Sequence, residues 1–214
     1  MADTTGLRDV VAPRPVVSHT TLFSGRIFDV ACERVDLGAA GIVDRDIIDH
    51  PGAVAIVAMD DDGRVAVINQ YRHAVRSVLW EIPAGLLDIA GEPADVCAAR
   101  ELAEETDLQA STWHVLADFL TSPGFTNESL RIFLARDLTV IPPDRRHVRT
   151  EEEADMEVRW VPLDEAVARV LDGSIHSPSA VIGILAAHTH RNNTWSTLRP
   201  ANTPMPYRRG NLPA

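Results

Sequence analysis

The chain has 214 residues, 45% of them hydrophobic, and a formal net charge of −11. That length supports one large domain, or one domain with a small appendage, around an ordinary globular core. The acidity excludes sequence-independent nucleic-acid binding, which needs a basic face, and docking on anionic membrane, but not a phosphorylated small substrate whose charge bound metal could offset.

Residues 1–17 are polar, Pro-containing and non-periodic, and are predicted to be a disordered tail. Short turn-bounded strands follow at Leu22-Phe23, Ile27–Val30, Glu33–Leu37 and Ile42–Ile48. They predict a small antiparallel sheet over 18–50, distinct from the main body at 51–192. Ala53–Met59 reads as a buried strand, Asp60–Gly63 as a hairpin turn, and Val65–Tyr71 as the return. Leu79–Pro83 is another short strand, followed by a Gly-rich loop. A helix is predicted from Pro93 or Ala94 to Thr106, with Asp107 at the position where a left-handed residue often ends a helix. Strands at Trp113–Leu120 and Ser129–Leu134 flank the turn at Ser122–Phe125. An acidic loop, Glu151–Ala154, precedes a strand at Met156–Val161. Helices at Asp164–Leu171 and from Ser177 or Ser179 to His190 complete the body, and 193–214, with several prolines, reads as a flexible tail. Strands interspersed with a few helices predict an α/β/α sandwich on a mixed sheet.

The longest apolar runs, Gly52–Met59 and Ala180–Ala187, reach eight residues, too short to cross a membrane. The N-terminus lacks the pattern of a secretory leader, so a cytoplasmic location is expected. Every basic residue is Arg, which excludes Schiff-base chemistry and a phosphate-loop lysine. Cys32 and Cys97 form neither a disulfide framework nor a zinc pattern, and Cys97 reads as small core filler.

The segment Arg100–Glu105 carries the chemistry. At about 100° per residue, Glu101, Glu104 and Glu105 fall within an arc of about 100° on one helix side. Two such charges about 6 Å apart cost roughly 3 kcal/mol at an effective dielectric near 20. Arg100 is the one neighbouring cation in sequence. A hard divalent cation is the natural remainder, because carboxylate oxygens suit Mg²⁺ or Mn²⁺. The plain alternative is a solvated acidic helix face.

Glu92 is followed by seven residues and then by Arg100, Glu101, Leu102, Ala103, Glu104 and Glu105. This resembles the Nudix hydrolase signature, G-x5-E-x7-R-E-U-x-E-E-x-G-U, where U is apolar. Two positions depart from it: six residues instead of five separate Gly85 from Glu92, and Asp107 stands at the closing glycine. Gln70–Arg72, Trp80–Gly85 and Glu152–Asp155 are similar to the ADP-ribose pyrophosphatase branch, closest to its actinobacterial type. That branch has a proline sixteen residues past the closing glycine, and counting from Asp107 gives Pro123.

The resemblance implies a Nudix-type fold and a metal-dependent pyrophosphohydrolase acting on a nucleoside diphosphate linked to another moiety. ADP-ribose, giving AMP and ribose 5-phosphate, is the expected substrate; GDP-mannose is the alternative. It implies two or three Mg²⁺ or Mn²⁺ ions per site, held by Glu101, Glu105 and the Ala84 carbonyl. Glu104 is either a further ligand or a partner of Arg100, which orients the carboxylates. Glu92 either anchors the loop to the helix or is a surface acid. Glu153 is the expected general base, with Glu152 as the alternative. Arg72 either grips the diphosphate or forms a surface salt bridge. Glu81 is placed on ribose hydroxyls and Pro123 at the substrate. Phe28 either stacks on adenine across a homodimer formed through the N-terminal sheet or packs in a core. A non-catalytic ligand-sensing domain of the same fold and a purely structural acidic domain are the remaining readings.

Overall fold

The structure, a computed structural model of the chain, describes residues 6–149 and 156–211. Two units are distinguished by their internal contacts, one of 6–51, 122–128 and 205–211, the other of 52–121 and 129–204.

The first unit contains β1 (Val16–Ser24), β2 (Asp29–Asp36) and β3 (Ile42–Asp49), an antiparallel meander. Two distant segments join it. Ile48 donates its N–H to the Phe125 carbonyl at 2.7 Å, and Asn127 bridges the Asp49 carboxylate at 2.6 Å and the His50 N–H at 2.8 Å. Arg209 reaches Asp49 at 2.6 Å. Val16, Val17, Leu22 and Phe23 along β1 are exposed, as is Ile42 on β3.

The second unit opens with β4 (Ala53–Ala58), β5 (Arg64–Arg72), β6 (Ser77–Glu81) and β7 (Ala84–Leu86). Then come α1 (Ala94–Thr106), β8 (Leu108–Leu120), β9 (Ser129–Val140), β10 (Val158–Pro162), α2 (Leu163–Leu171), α3 (Pro178–Asn192) and β11 (Arg199–Pro200). The main sheet runs β11-β8-β9-β4-β7 and is mixed, because β4 and β9 are parallel. A second, antiparallel sheet runs β10-β5-β6.

Every residue of β4 is buried, as a continuous Ala/Val/Ile run with helices on both faces requires. Ala55 and Val57 join Ile132 and Leu134 of β9 in one cluster with Ile184 and Ala187 of α3. Gly183 permits this approach, since a Cβ there would lie 2.9 Å from Ile82 and 3.0 Å from Val57. The alternate residues Val54, Ile56 and Ala58 point the other way and are equally buried, on the side that receives α1. The expected mixed α/β architecture with its small antiparallel sheet is therefore what the chain forms.

Three expectations change. The Asp60–Gly63 turn is present, with Gly63 at φ +73 and the Asp60 N–H bonded to the Arg64 carbonyl at 3.0 Å, but it does not join a continuous hairpin. β4 has β9 on one edge and β7 on the other, so β5 pairs with it only at the bridge Met59–Val65 and builds a separate sheet. Part of the Gly-rich loop is itself a strand, β7. The stretch from 193, expected as a flexible tail, is tied down through 204: β11 pairs with β8, and the Arg131 guanidinium, 2% exposed, donates to the carbonyls of Thr203 and Pro204. Among the described residues no helix is long and apolar enough to cross a membrane.

Candidate active site

α1 begins after Pro93, whose φ of −63 needs no adjustment, and ends at Asp107, which takes the left-handed conformation (φ 58, ψ 30) and returns its N–H to Ala103 at 3.1 Å. Cys97, Ala98 and Leu102 anchor the helix by burial. The Cys97 thiol donates to the Leu86 carbonyl at 3.3 Å, which holds β7 beside the helix. Burial, then the nearby Glu101 carboxylate, push that thiol up to about 12.

The helix presents its charged groups around one guanidinium. Arg100 makes a two-pronged contact with Glu92, Nε to Oε1 and Nη2 to Oε2, both 3.1 Å. Its Nη1 donates to Glu101 at 2.6 Å and to Glu104 at 3.3 Å. Glu92 lies eight positions before Arg100, at the end of the Gly-rich stretch, so the fork fastens that stretch to the helix. The hydrogen bonds that Arg100 donates to Glu92 do most to raise the guanidinium's pKa above its ordinary value. Arg100 is a permanent cation within this carboxylate set.

Glu105 is 3% exposed and accepts the Ala84 N–H at 2.9 Å. Glu101 lies directly on Gly85, where an added Cβ would fall 2.0 Å from its Cδ. In the sequence Gly85 is the displaced glycine of the signature and the end of the Trp80–Gly85 resemblance; its lack of a side chain is what admits Glu101. Among the described residues no three His, Cys, Asp or Glu side chains converge as a closed metal centre, and Arg100 stands among Glu92, Glu101 and Glu104. The donors nonetheless fit a hard divalent cation: they are carboxylate oxygens borne on one helical turn beside a backbone strand.

Arg72 and Glu81, at the ends of the β5–β6 pair, hold each other by Nε to Oε1 at 2.9 Å and Nη2 to Oε2 at 2.7 Å. Glu81 is buried at 4% exposure and Arg72 is 43% exposed at its side chain, so the guanidinium faces solvent from a fixed base. Phe28 and Pro123 belong to the other unit; Phe28 is 39% exposed. Glu152 and Glu153 lie outside the described residues. Two arginines escaped the sequence reading. Arg131 is clamped to Asp118 at 2.7 and 3.0 Å, and Arg149 contacts the C-terminus of α1.

A glycine-rich strand and loop fastened by a Glu–Arg fork to a carboxylate-bearing helix, inside a mixed-sheet sandwich, defines a class, and comparison with known proteins agrees. The NUDIX domain model matches residues 49–179, and the chain belongs to the NUDIX family. It is 50% identical over 172 residues to the ADP-ribose pyrophosphatase of Mycobacterium tuberculosis, covering 80% of this chain and 82% of that one. It is 34% identical over 168 residues to the ADP-ribose pyrophosphatase of Bacillus subtilis, covering 78% and 89%. In fold it matches a solved structure described as an ADP compounds hydrolase, with a TM-score of 0.70 over 87% of this chain and 98% of that one, at 20% identity.

Proposed function

We propose that the chain hydrolyses the diphosphate bond of ADP-ribose to AMP and ribose 5-phosphate. The observation that carries this reading is the Glu92–Arg100–Glu101/Glu104 cluster beside the Glu105–Ala84 contact, in a chain half identical to an ADP-ribose pyrophosphatase.

Glu101, Glu105 and the Ala84 carbonyl, with Glu104 as a further donor, would hold two or three Mg²⁺ or Mn²⁺ ions. Bound divalent cations neutralise diphosphate charge and acidify water at the site. Glu153, with Glu152 as the alternative, takes the proton from the attacking water. As the water oxygen bonds to one phosphorus, the bridging P–O bond breaks and the bridging oxygen leaves with the other phosphate. Arg100 keeps Glu101 and Glu104 aimed while its fork to Glu92 keeps the loop in place. Arg72, fixed by Glu81, pairs with phosphate oxygens, and Glu81 turns its remaining acceptor capacity to ribose hydroxyls. Catalysis is then mostly placement and charge stabilisation.

In this reading the protein is a cytoplasmic homodimer. The exposed Val16, Val17, Leu22 and Phe23 of β1 support association through the first unit. Phe28 stacks on adenine across that dimer, and Pro123 is a substrate contact. Light scattering tests the stoichiometry. For the activity, ADP-ribose, GDP-mannose and other nucleotide sugars are offered in turn with Mg²⁺, with Mn²⁺ and with chelator. AMP release from ADP-ribose that chelator abolishes is expected; a preference for GDP-mannose would replace the substrate, and chelator-resistant turnover would remove the metal.

A further inference from the structure

Asp107 stands where glycine would be the easy choice. At φ 58 an L side chain is strained, and a carboxylate at a helix C-terminus meets the negative end of the helix dipole. Glycine would meet neither penalty. The Asp107 side chain is nonetheless mostly buried, 16% exposed, with Arg149 Nη2 2.9 Å and Arg146 Nη1 3.9 Å from its Oδ2. Arg149 also donates Nε to the Glu104 carbonyl at 3.0 Å, one of the carbonyls that the end of a helix leaves without an intrahelical donor. The Ile141 N–H bonds the Asp107 carbonyl at 2.8 Å, and Arg146 Nε bonds the Ile141 carbonyl at 3.0 Å. The segment 141–149 is thereby stitched to the last turn of α1. That turn carries Glu104 and Glu105.

We infer that Asp107 and Arg149 are a positioning pair for catalysis: together they set the last turn of α1, with Glu104 and Glu105. The inference rests on the hydrolytic reading above. Neither residue acts on substrate. A locally unfavourable aspartate is retained because it orients an arginine that caps the acid-bearing turn.

The test compares Asp107→Gly, Arg149→Ala and their double variant in the full-length chain, with kcat and KM for ADP-ribose measured separately under saturating metal and melting temperatures recorded. Asp107→Gly is expected to melt close to the wild-type temperature, because relief of the left-handed strain offsets the lost ion pair with Arg149, while kcat falls about ten- to a hundredfold and KM stays within about twofold. Arg149→Ala is expected to lower kcat by a similar factor, and the double variant to be no worse than the poorer single. Arg149→Lys, which lacks the planar Nε donor, is expected to remain low. Wild-type kcat in Asp107→Gly, losses that multiply in the double variant, or full recovery in Arg149→Lys would overturn the pair. Glu105→Gln separates the two levels. If the wild type releases no AMP, the hydrolytic reading fails; if Glu105→Gln is fully active, the role of the acid-bearing turn fails; if Glu105→Gln is inactive while Asp107→Gly is fully active, the pair alone fails.

Discussion

Glu101 rests its carboxyl group on the bare Cα of Gly85, so closely that a Cβ would lie 2.0 Å from Glu101 Cδ. The atoms in the way, from Cγ to the carboxyl group, all belong to the Glu101 side chain, so Gly85→Ala displaces that side chain and not backbone. Gly85→Ala is expected to lose about a hundredfold or more in kcat while stability changes by less than about 1.5 kcal/mol. Steady-state kinetics beside a urea melt check this. A variant with normal kcat would show that the placement of Glu101 is immaterial.

The Arg72–Glu81 fork makes an asymmetric prediction. Arg72→Ala removes both hydrogen bonds that a carboxylate at 4% exposure receives from this arginine, and is expected to cost about 2 kcal/mol and raise KM about tenfold. Glu81→Gln keeps the shape and leaves the partly exposed Arg72 in reach of water, so its stability cost is expected to stay near about 1 kcal/mol. Thermal melts and KM for ADP-ribose decide; equal melting of both variants contradicts the argument.

Much of this site was legible in the chain because its rules are local. Pro93 and Asp107 mark the ends of α1 by their positions, while the Glu92–Arg100 spacing leaves open whether Glu92 anchors the loop or is a surface acid. What was not legible depends on partners far away in sequence. A three-residue strand such as β7 has no periodicity to read. The Asp60–Gly63 turn chemistry forecasts a reversal of the chain, but not that β9, some seventy residues on, occupies the β4 edge. Pro-rich composition after residue 193 suggested a tail, and nothing local showed that a buried Arg131 would seize two of its carbonyls.

That clamp carries a pH dependence. Burial alone would raise the Asp118 carboxyl, but hydrogen bonds from Arg131 and Arg199 outweigh it and hold it below the ordinary aspartate range. A depressed folded value means the stabilisation is present above the unfolded value of about 3.9 and is lost as pH falls through the folded one. Asp118→Asn is expected to cost about 2 kcal/mol at pH 7 and to flatten the loss of stability below about pH 4. Denaturant melts across that range check it, and an unchanged acid slope contradicts it.

Cys97 is fully buried, with its thiol on the Leu86 carbonyl and its pKa pushed up to about 12, first by burial. A thiol reagent at pH 8 is expected to leave Cys97 unmodified in the folded protein and to modify it on unfolding. Peptide mapping after labelling reads this directly. Labelling at equal rates in both states would show that β7 opens away from α1.

The central claim is that the acids of one helical turn carry the hydrolysis. Its most direct measurement is kcat/KM for ADP-ribose under saturating Mg²⁺, wild type against Glu105→Gln, with both proteins shown to be folded. The account predicts a loss of about a thousandfold or more in the variant; a variant within about threefold of wild type, where the lost interaction would be worth well under 1 kcal/mol, would contradict it.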